Sequence, residues 1–295
     1  MSFFFQCLVS GLMMGMVYGL MGLGIVVIYK ATSIFNFAHG AILATMTFLA
    51  WSFVMQMHFP YWLMFVSIVA VAVIIGILIQ RLIMQRLIGQ PILAAIIATL
   101  ALMEVFDGIV TLIWPGVGRG FPEVVPIGGV HIGSVAISYE SLVNLLICIG
   151  GFVILMLFFQ HTKTGLAMRG TAEDHQLARS EGIKVTKVFA MSWILGILLA
   201  SIGGILIGHG HGVLPRPLFE IGMKAMPVVI LGGLESFGGA ILAGLIIGVG
   251  ESLGGAYLDP YVGGGLESLF PYFIMLVVLV FLPYGLFGYK KIERV

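Results

Sequence analysis

Charge is what this sequence has least of. Its 14 Lys and Arg and 13 Asp and Glu make up 9% of 295 residues, where soluble domains carry roughly 25%. That scarcity excludes an ordinary soluble globular protein; with 60% hydrophobic residues and a mean hydropathy of +1.14, the chain has the bilayer as its solvent. Cysteine is nearly missing too: Cys7 and Cys148 stand alone in apolar runs without metal-ligand spacing, which excludes a disulfide framework and a zinc site. The first 29 residues hold no Lys or Arg, so the charged start of a cleavable signal peptide is absent and the segment reads as a permanent first span. There is no G-x-x-x-x-G-K-[ST] phosphate loop, so nucleotide energy has to come from another polypeptide. There is no H-E-x-x-H either, and the few histidines are not arranged with a Ser or Cys and an acid, so no reaction can be assigned.

What is present is a series of apolar runs, each long enough to approach or exceed the roughly 20 residues that cross a hydrocarbon core. They lie near 8–29, 37–57, 61–80, 92–114, 139–160, 188–212, 238–257 and 268–287. A further run at 221–233, "IGMKAMPVVILGG", is interrupted by Pro227 and is too short to span alone. The expected fold is therefore an all-α polytopic membrane protein, a single domain over 1–295 with eight or nine membrane segments, one of them short, broken and re-entrant. Lys and Arg orient it, since they favour the cytoplasmic side of short loops. Placing Lys30, Arg81, Arg86, Lys163, Arg169, Arg179, Lys184, Lys187, Lys290, Lys291 and Arg294 inside leaves only Arg119, Arg216 and Lys224 elsewhere. The C-terminus is then cytoplasmic and, with nine segments, the N-terminus extracytoplasmic. The loop 115–138, punctuated by Gly and Pro between short β-branched runs, falls outside and reads as a small hairpin cap. Trp62 and Trp114, near span ends, fit an interfacial aromatic belt.

One stretch departs from this apolar background. Thr162 to Lys187, "TKTGLAMRGTAEDHQLARSEGIKVTK", holds eight charged residues in a predicted cytoplasmic loop. Thr171 followed by Asp174 fits an N-cap pattern, Glu173 and Asp174 suit a helix start, Arg179 suits its end and Gly182 a C-cap, so the sequence predicts a helix over Ala172 to Glu181. Ala172, Leu177 and Ala178 give it little apolar surface, and helices this short are marginal alone. Such an element either docks on a partner or is a solvated connector.

The resemblance lies in three motifs. "AMRGTAEDHQLARSEGI" resembles the cytoplasmic loop of bacterial ABC-type permeases for branched-chain amino acids; "FNFAHG" (Phe35 to Gly40) is similar to a hallmark of their LivH-type subunit; and "GMKAMPVVILGGLESFGGAILAGLIIGVGES" (Gly222 to Ser252) resembles the same family's Gly-Met-Lys-Ala and Leu-Gly-Gly segments. Order and spacing agree over nearly the whole chain. The resemblance implies half of an ATP-driven importer in the bacterial cytoplasmic membrane, for branched-chain or other hydrophobic amino acids. It implies a LivM-type permease as companion, two cytoplasmic ABC ATPases that bind ATP while this chain holds no cofactor, an extracytoplasmic substrate-binding protein, surrounding lipid and no nucleic acid. The loop becomes a coupling element in which Arg169, Glu173, Asp174, Arg179 and Gly182 act toward the ATPase. Two positions depart from the family: Ala41 stands where an acid is common, and Glu235 where Gly-Gly-x-Gly-Ser is common, which bears on substrate choice.

Ionisable groups inside the membrane are costly and face a cavity or one another. The candidates are Glu104, Asp107, Lys224 and Glu251, with His39, His209 and His211 near span ends. The resemblance supports Asn36, His39, Lys224 and Glu251 as a substrate pathway; internal pairing, such as Lys224 with an acid, is the competing expectation. Gly11, Gly15 and Gly19, and likewise Gly244 and Gly248, sit four apart on one helical face and predict close helix packing. "GAILA" occurs at Gly40 to Ala44 and again at Gly239 to Ala243, pointing to two structural halves, 1–135 and 136–295. Two other readings stand beside the importer: a permease for urea or short amides, and a self-sufficient secondary transporter or channel.

Overall fold

In a membrane every backbone polar group has to be satisfied within the protein, and helices do this segment by segment. The computed structural model describes residues 2–116, 118–122, 125–133, 135–173 and 175–288. Each predicted apolar run is a helix: α1 (Ser2–Thr32), α2 (His39–Met55), α3 (Tyr61–Leu78) with a π-helical continuation (Ile79–Met84) and a last turn α4 (Gln85–Leu87), α5 (Ile92–Ile113), α6 (Tyr139–His161), α9 (Val185–His211), α12 (Phe237–Val262) and α13 (Leu266–Phe281). Between them lie the short helices α7 (Lys163–Glu173), α8 (His175–Ser180), α10 (Pro215–Met223) and α11 (Ala225–Gly232).

Among the described residues six helices are long and apolar enough to cross a membrane; α2 and α13 are apolar but shorter. Their starts have local causes. Before α2, Asn36 Oδ1 accepts the Ala38 amide at 3.1 Å, a turn that competes with helix. Before α13, Gly263, Gly264 and Gly265 take φ of +90°, +103° and +93°, and Asp259 Oδ1 accepts the Leu266 amide at 2.8 Å. Three successive left-handed residues cannot continue a right-handed helix.

The chain forms two compact units, though not the contiguous halves suggested by the repeated pentapeptide. One comprises Met1–Val26, Glu123–Ile149 and Lys224–Val295; the other Val27–Pro122 and Gly150–Met223. Segments of one are interleaved in sequence with segments of the other.

The unit containing Val27–Pro122 is built around α2, which packs on α3, α5, α9 and α10. Residues from His39 to Phe48 are buried in an unbroken series, so α2 has no polar face, as befits a central helix. Glycine sets the approach of its neighbours. A methyl group at Gly76 of α3 would come within 2.9 Å of the Ile194 backbone nitrogen on α9, and one at Gly222 of α10 within 2.7 Å of Gly40 Cα. Trp114, expected at the interface, is instead buried: it stacks on Phe48, and its Nε1 donates to Ser52 Oγ at 2.8 Å. A buried indole needs such an acceptor, and α2 supplies it.

In the other unit, the predicted loop hairpin is present as β1 (Gly129–Ile132) and β2 (Val135–Ser138), paired antiparallel with Gly129 opposite Ser138. The Gln6 side chain holds it by both ends of the Ala136 peptide edge: Nε2 donates to Ala136 O at 2.9 Å and Oε1 accepts Ala136 N at 2.8 Å. Here the glycine stripes meet. Gly11 of α1 faces Gly248 of α12, Gly15 faces Gly244, and Gly19 faces Ile241, an antiparallel register in which an added methyl at Gly15 would lie 2.7 Å from the Gly244 carbonyl oxygen. The buried end of α11 is closed by the C-terminal loop: Leu286 and Phe287 donate their amides to the Leu231 and Gly232 carbonyls at 2.8 and 3.2 Å. Those carbonyls have no intrahelical partner, so the loop removes a desolvation cost.

Candidate functional sites

The glycine stripe also carries polar groups. On α1, Tyr18 follows Gly15 by three residues; on α12, Glu251 follows Gly248 by three, so each lies on the contact face. Helical side chains lean toward their own N-terminus, and in an antiparallel pair these directions converge. Tyr18 Oη donates to Glu251 Oε1 at 3.1 Å. Lys224, in the single-residue break between α10 and α11, donates its ammonium to the same carboxylate oxygen and forms an ion pair with it. Its Nζ also lies 5.7 Å from the Tyr18 ring centre, within reach of a cation–π contact.

Lys224 is 7% exposed and Glu251 4%. A lone charge at mid-membrane costs on the order of 2.5–3.5 kcal/mol on insertion scales, so pairing is what lets both remain. The pairing expectation is met for this couple. The second carboxylate oxygen, Glu251 Oε2, is buried and has no hydrogen-bond partner among the described residues. Tyr18 escaped the sequence reading; its only signal was its place on the face marked by Gly11, Gly15 and Gly19.

Asn36 and His39 lie together at the entry to α2 in the other unit, both fully buried, with Asn36 spending its Oδ1 on the local turn and leaving Nδ2 without a partner among the described residues. Ala41, one of the two departures, is completely buried in the first turn of α2. Glu235, the other, is half-buried in the turn before α12, where the Ser236 hydroxyl accepts the Gly239 amide at 3.0 Å. Of the remaining acids, Glu104 is exposed and Asp107 half-buried on α5. His209 stacks on Phe121 with ring centres 4.3 Å apart, and its Nδ1 lies 3.0 Å from the Ile205 carbonyl oxygen. His211 closes α9.

The polar stretch folds differently from the predicted helix over 172–181. Helix begins nine residues earlier, at Lys163, because Thr162 rather than Thr171 is the cap: its hydroxyl accepts the Gly165 amide at 2.9 Å. Thr171 lies inside α7 and donates back to the Ala167 carbonyl at 2.8 Å. At an interior position of α7 it marks no helix start. Gly165 makes the tight corner after α6, where a methyl would sit 2.6 Å from Phe159 Cα. Asp174 lies outside the described residues.

Gly182 does end the helix. It takes φ of +81°, its amide donates to Arg179 O at 3.1 Å, and the Ile183 amide donates to Ala178 O at 3.0 Å, the two bonds of a Schellman motif. Ala178, Val185 and Phe189 form a small apolar cluster with Ile183, and this holds α8 to the start of α9. Gly165, Met168 and Thr171 are the buried face of α7. Arg169, Glu173 and Arg179 all point outward, with Leu166 and Leu177 both more than 60% exposed among them. The result is a charged surface with two leucines standing on it.

Comparison with known proteins follows this geometry. The family described as "Branched-chain amino acid transport system / permease component" matches residues 7–279. The high-affinity branched-chain amino acid transport system permease protein LivH of Escherichia coli (strain K12) is 27% identical over 99% of this chain and 98% of its own length. BraD of Pseudomonas aeruginosa, a permease protein of the same description, is 28% identical over the same shares. Among solved structures, PsaBC from Streptococcus pneumoniae in complex with Fab covers 94% of this chain and 91% of its own, at 13% identity and a TM-score of 0.48.

Proposed function

From the premise that this chain belongs to the branched-chain amino acid transport permease family, we propose that it is the LivH-type half of an ATP-driven importer for branched-chain or other hydrophobic amino acids. The observation that carries this is the family match over residues 7–279, which includes both the buried Lys224–Glu251 pair and the polar hairpin of α7 and α8. The chain is a multi-pass inner-membrane transport subunit, not an enzyme, and works in a complex with another permease, ATPase subunits and a binding protein. We assign the second permease to the LivM type and ATP to two ATPase chains.

In this reading the eight apolar helices together with the broken segment of α10 and α11 make nine membrane segments, leaving the N-terminus outside and the C-terminus inside. The outward charges of α7 and α8 then meet an ATPase: Arg169, Glu173 and Arg179 supply the polar contacts, Leu166 and Leu177 the apolar anchors, Gly182 the corner, and Asp174 completes the acidic step. Asn36, His39, Lys224 and Glu251 belong to the pathway region. An amino acid carries one charge of each sign, and Glu251, with a second oxygen still without a hydrogen-bond partner, suits an ammonium group. Lys224 and Tyr18 hold that carboxylate in place.

The test is purification of the tagged chain from its native membrane in mild detergent, followed by reconstitution with the proteins that accompany it. A second permease of similar size and two ATPases, giving ATP-dependent leucine uptake, is expected. Uptake by the chain alone under a proton or sodium gradient would overturn the reading.

A further inference from the structure

A cleft of about 660 Å³ opens in the unit containing Val27–Pro122, at the end of the helices where α1 and α4 finish and α5 and α9 begin. Its walls are mostly apolar, with Met84, Leu87, Ile92 and Phe189 among them. Its polar groups include Ser33, Gln90 and Arg179. Among the described residues no carboxylate lines it, and Arg179, on α8, is the one charged side chain that does. Two helices start at its rim, and neither α5 nor α9 has an acidic residue in its first turn or a side-chain cap on its N-terminus. Helix starts carry a partial positive charge, so both add to the arginine's field.

An apolar trough with a cationic lip, at the level where membrane helices end, matches an amphiphile whose tail is greasy and whose head is an anion. Basic pockets between helices at a membrane surface bind acidic head groups. We propose that this cleft is a binding site for an anionic phospholipid, with an acyl chain along Met84, Leu87 and Phe189 and the phosphate against Arg179. Because α8 carries Arg179, the lipid would sit under the helix assigned above to ATPase contact; the site itself rests on the cleft and its charge, not on that assignment.

The experiment uses the full chain with the subunits that accompany it, in nanodiscs, labelled with bimane through Ser180→Cys at the rim; both native cysteines are buried. Quenching by nitroxide-labelled phosphatidylglycerol is compared with quenching by the same label on phosphatidylcholine. One basic contact at an anionic surface corresponds to a preference of about fivefold for phosphatidylglycerol. Arg179→Gln is expected to bring that ratio to about one, and Ala95→Phe, which fills the apolar wall, to lower quenching by both lipids. Equal quenching in the parent protein would overturn the proposal, as would a preference that survives Arg179→Gln. Protection of the label by added ATPase alone, with no effect of lipid, would assign the cleft to the protein partner and overturn it too.

Discussion

The buried trio of Tyr18, Lys224 and Glu251 and the hairpin from 162 to 187 use the chain's scarcest resource in opposite ways. In the first, opposite charges face each other out of water, each nearly inaccessible. In the second, Arg169, Glu173 and Arg179 turn away from the protein while glycine, methionine and alanine face inward. The inward pair is satisfied within its own unit. The outward set is no part of the apolar faces that hold α7 and α8, and the ATPase docking proposed above rests on that arrangement.

Substitution tests that contrast, beginning where the effect is greatest. Glu251→Leu strands the Lys224 ammonium, and breaking a buried pair on one side costs about 3–5 kcal/mol; a large fall in the unfolding midpoint of the purified protein is expected. Lys224→Met combined with Glu251→Met should recover most of it. If the double variant is as unstable as the single, the pair is not the cause. Tyr18→Phe removes one hydrogen bond to a charged group, so a loss of roughly 1.5–3 kcal/mol is expected in the same assay. An unchanged midpoint would remove Tyr18 from the trio.

Gly182→Ala forces a side chain into a left-handed backbone, at a cost of about 1–2 kcal/mol. Loss of the α8 corner, read by proteolysis within 175–187, should accompany it. Smallest in stability are Arg169→Ala and Glu173→Ala, which should move the midpoint by no more than about 0.5 kcal/mol. ATP-driven uptake should nevertheless fall while the chain still inserts normally. Should uptake stay intact, the outward charges are solvation only, and the contrast between the regions collapses.

Long-period features were legible in the sequence and short-range competition was not. Every apolar run became a helix because length and hydropathy alone determine that outcome in lipid. Close packing at Gly11, Gly15 and Gly19 and at Gly244 and Gly248 followed from four-residue spacing, whereas the meeting of the two stripes with each other did not. The start of the polar helix did not: Thr162 and Thr171 are both plausible caps, and the choice depends on the corner at Gly165, which only the packing of α6 on α7 reveals. Trp114 was misplaced for a similar reason, since the acceptor that permits its burial, Ser52, lies 62 residues away. The two compact units were hidden because each draws on segments far apart in the chain. Even so, both copies of "GAILA" open a helix with a glycine pressed against a glycine in the last turn of a short helix, Gly40 on Gly222 and Gly239 on Gly232.

The turn at Gly182 has a mechanical meaning. A flexible loop absorbs a push by bending, but this corner is clamped by two amide bonds and by Ile183 seated beside Ala178, Val185 and Phe189. A load placed on α8 therefore passes into the first turn of α9 as a lever arm passes torque through a stiff elbow. In the docking proposed above, that first turn opens one continuous helix of 27 residues, so a displacement of α8 by the ATPase would be handed to a single shaft.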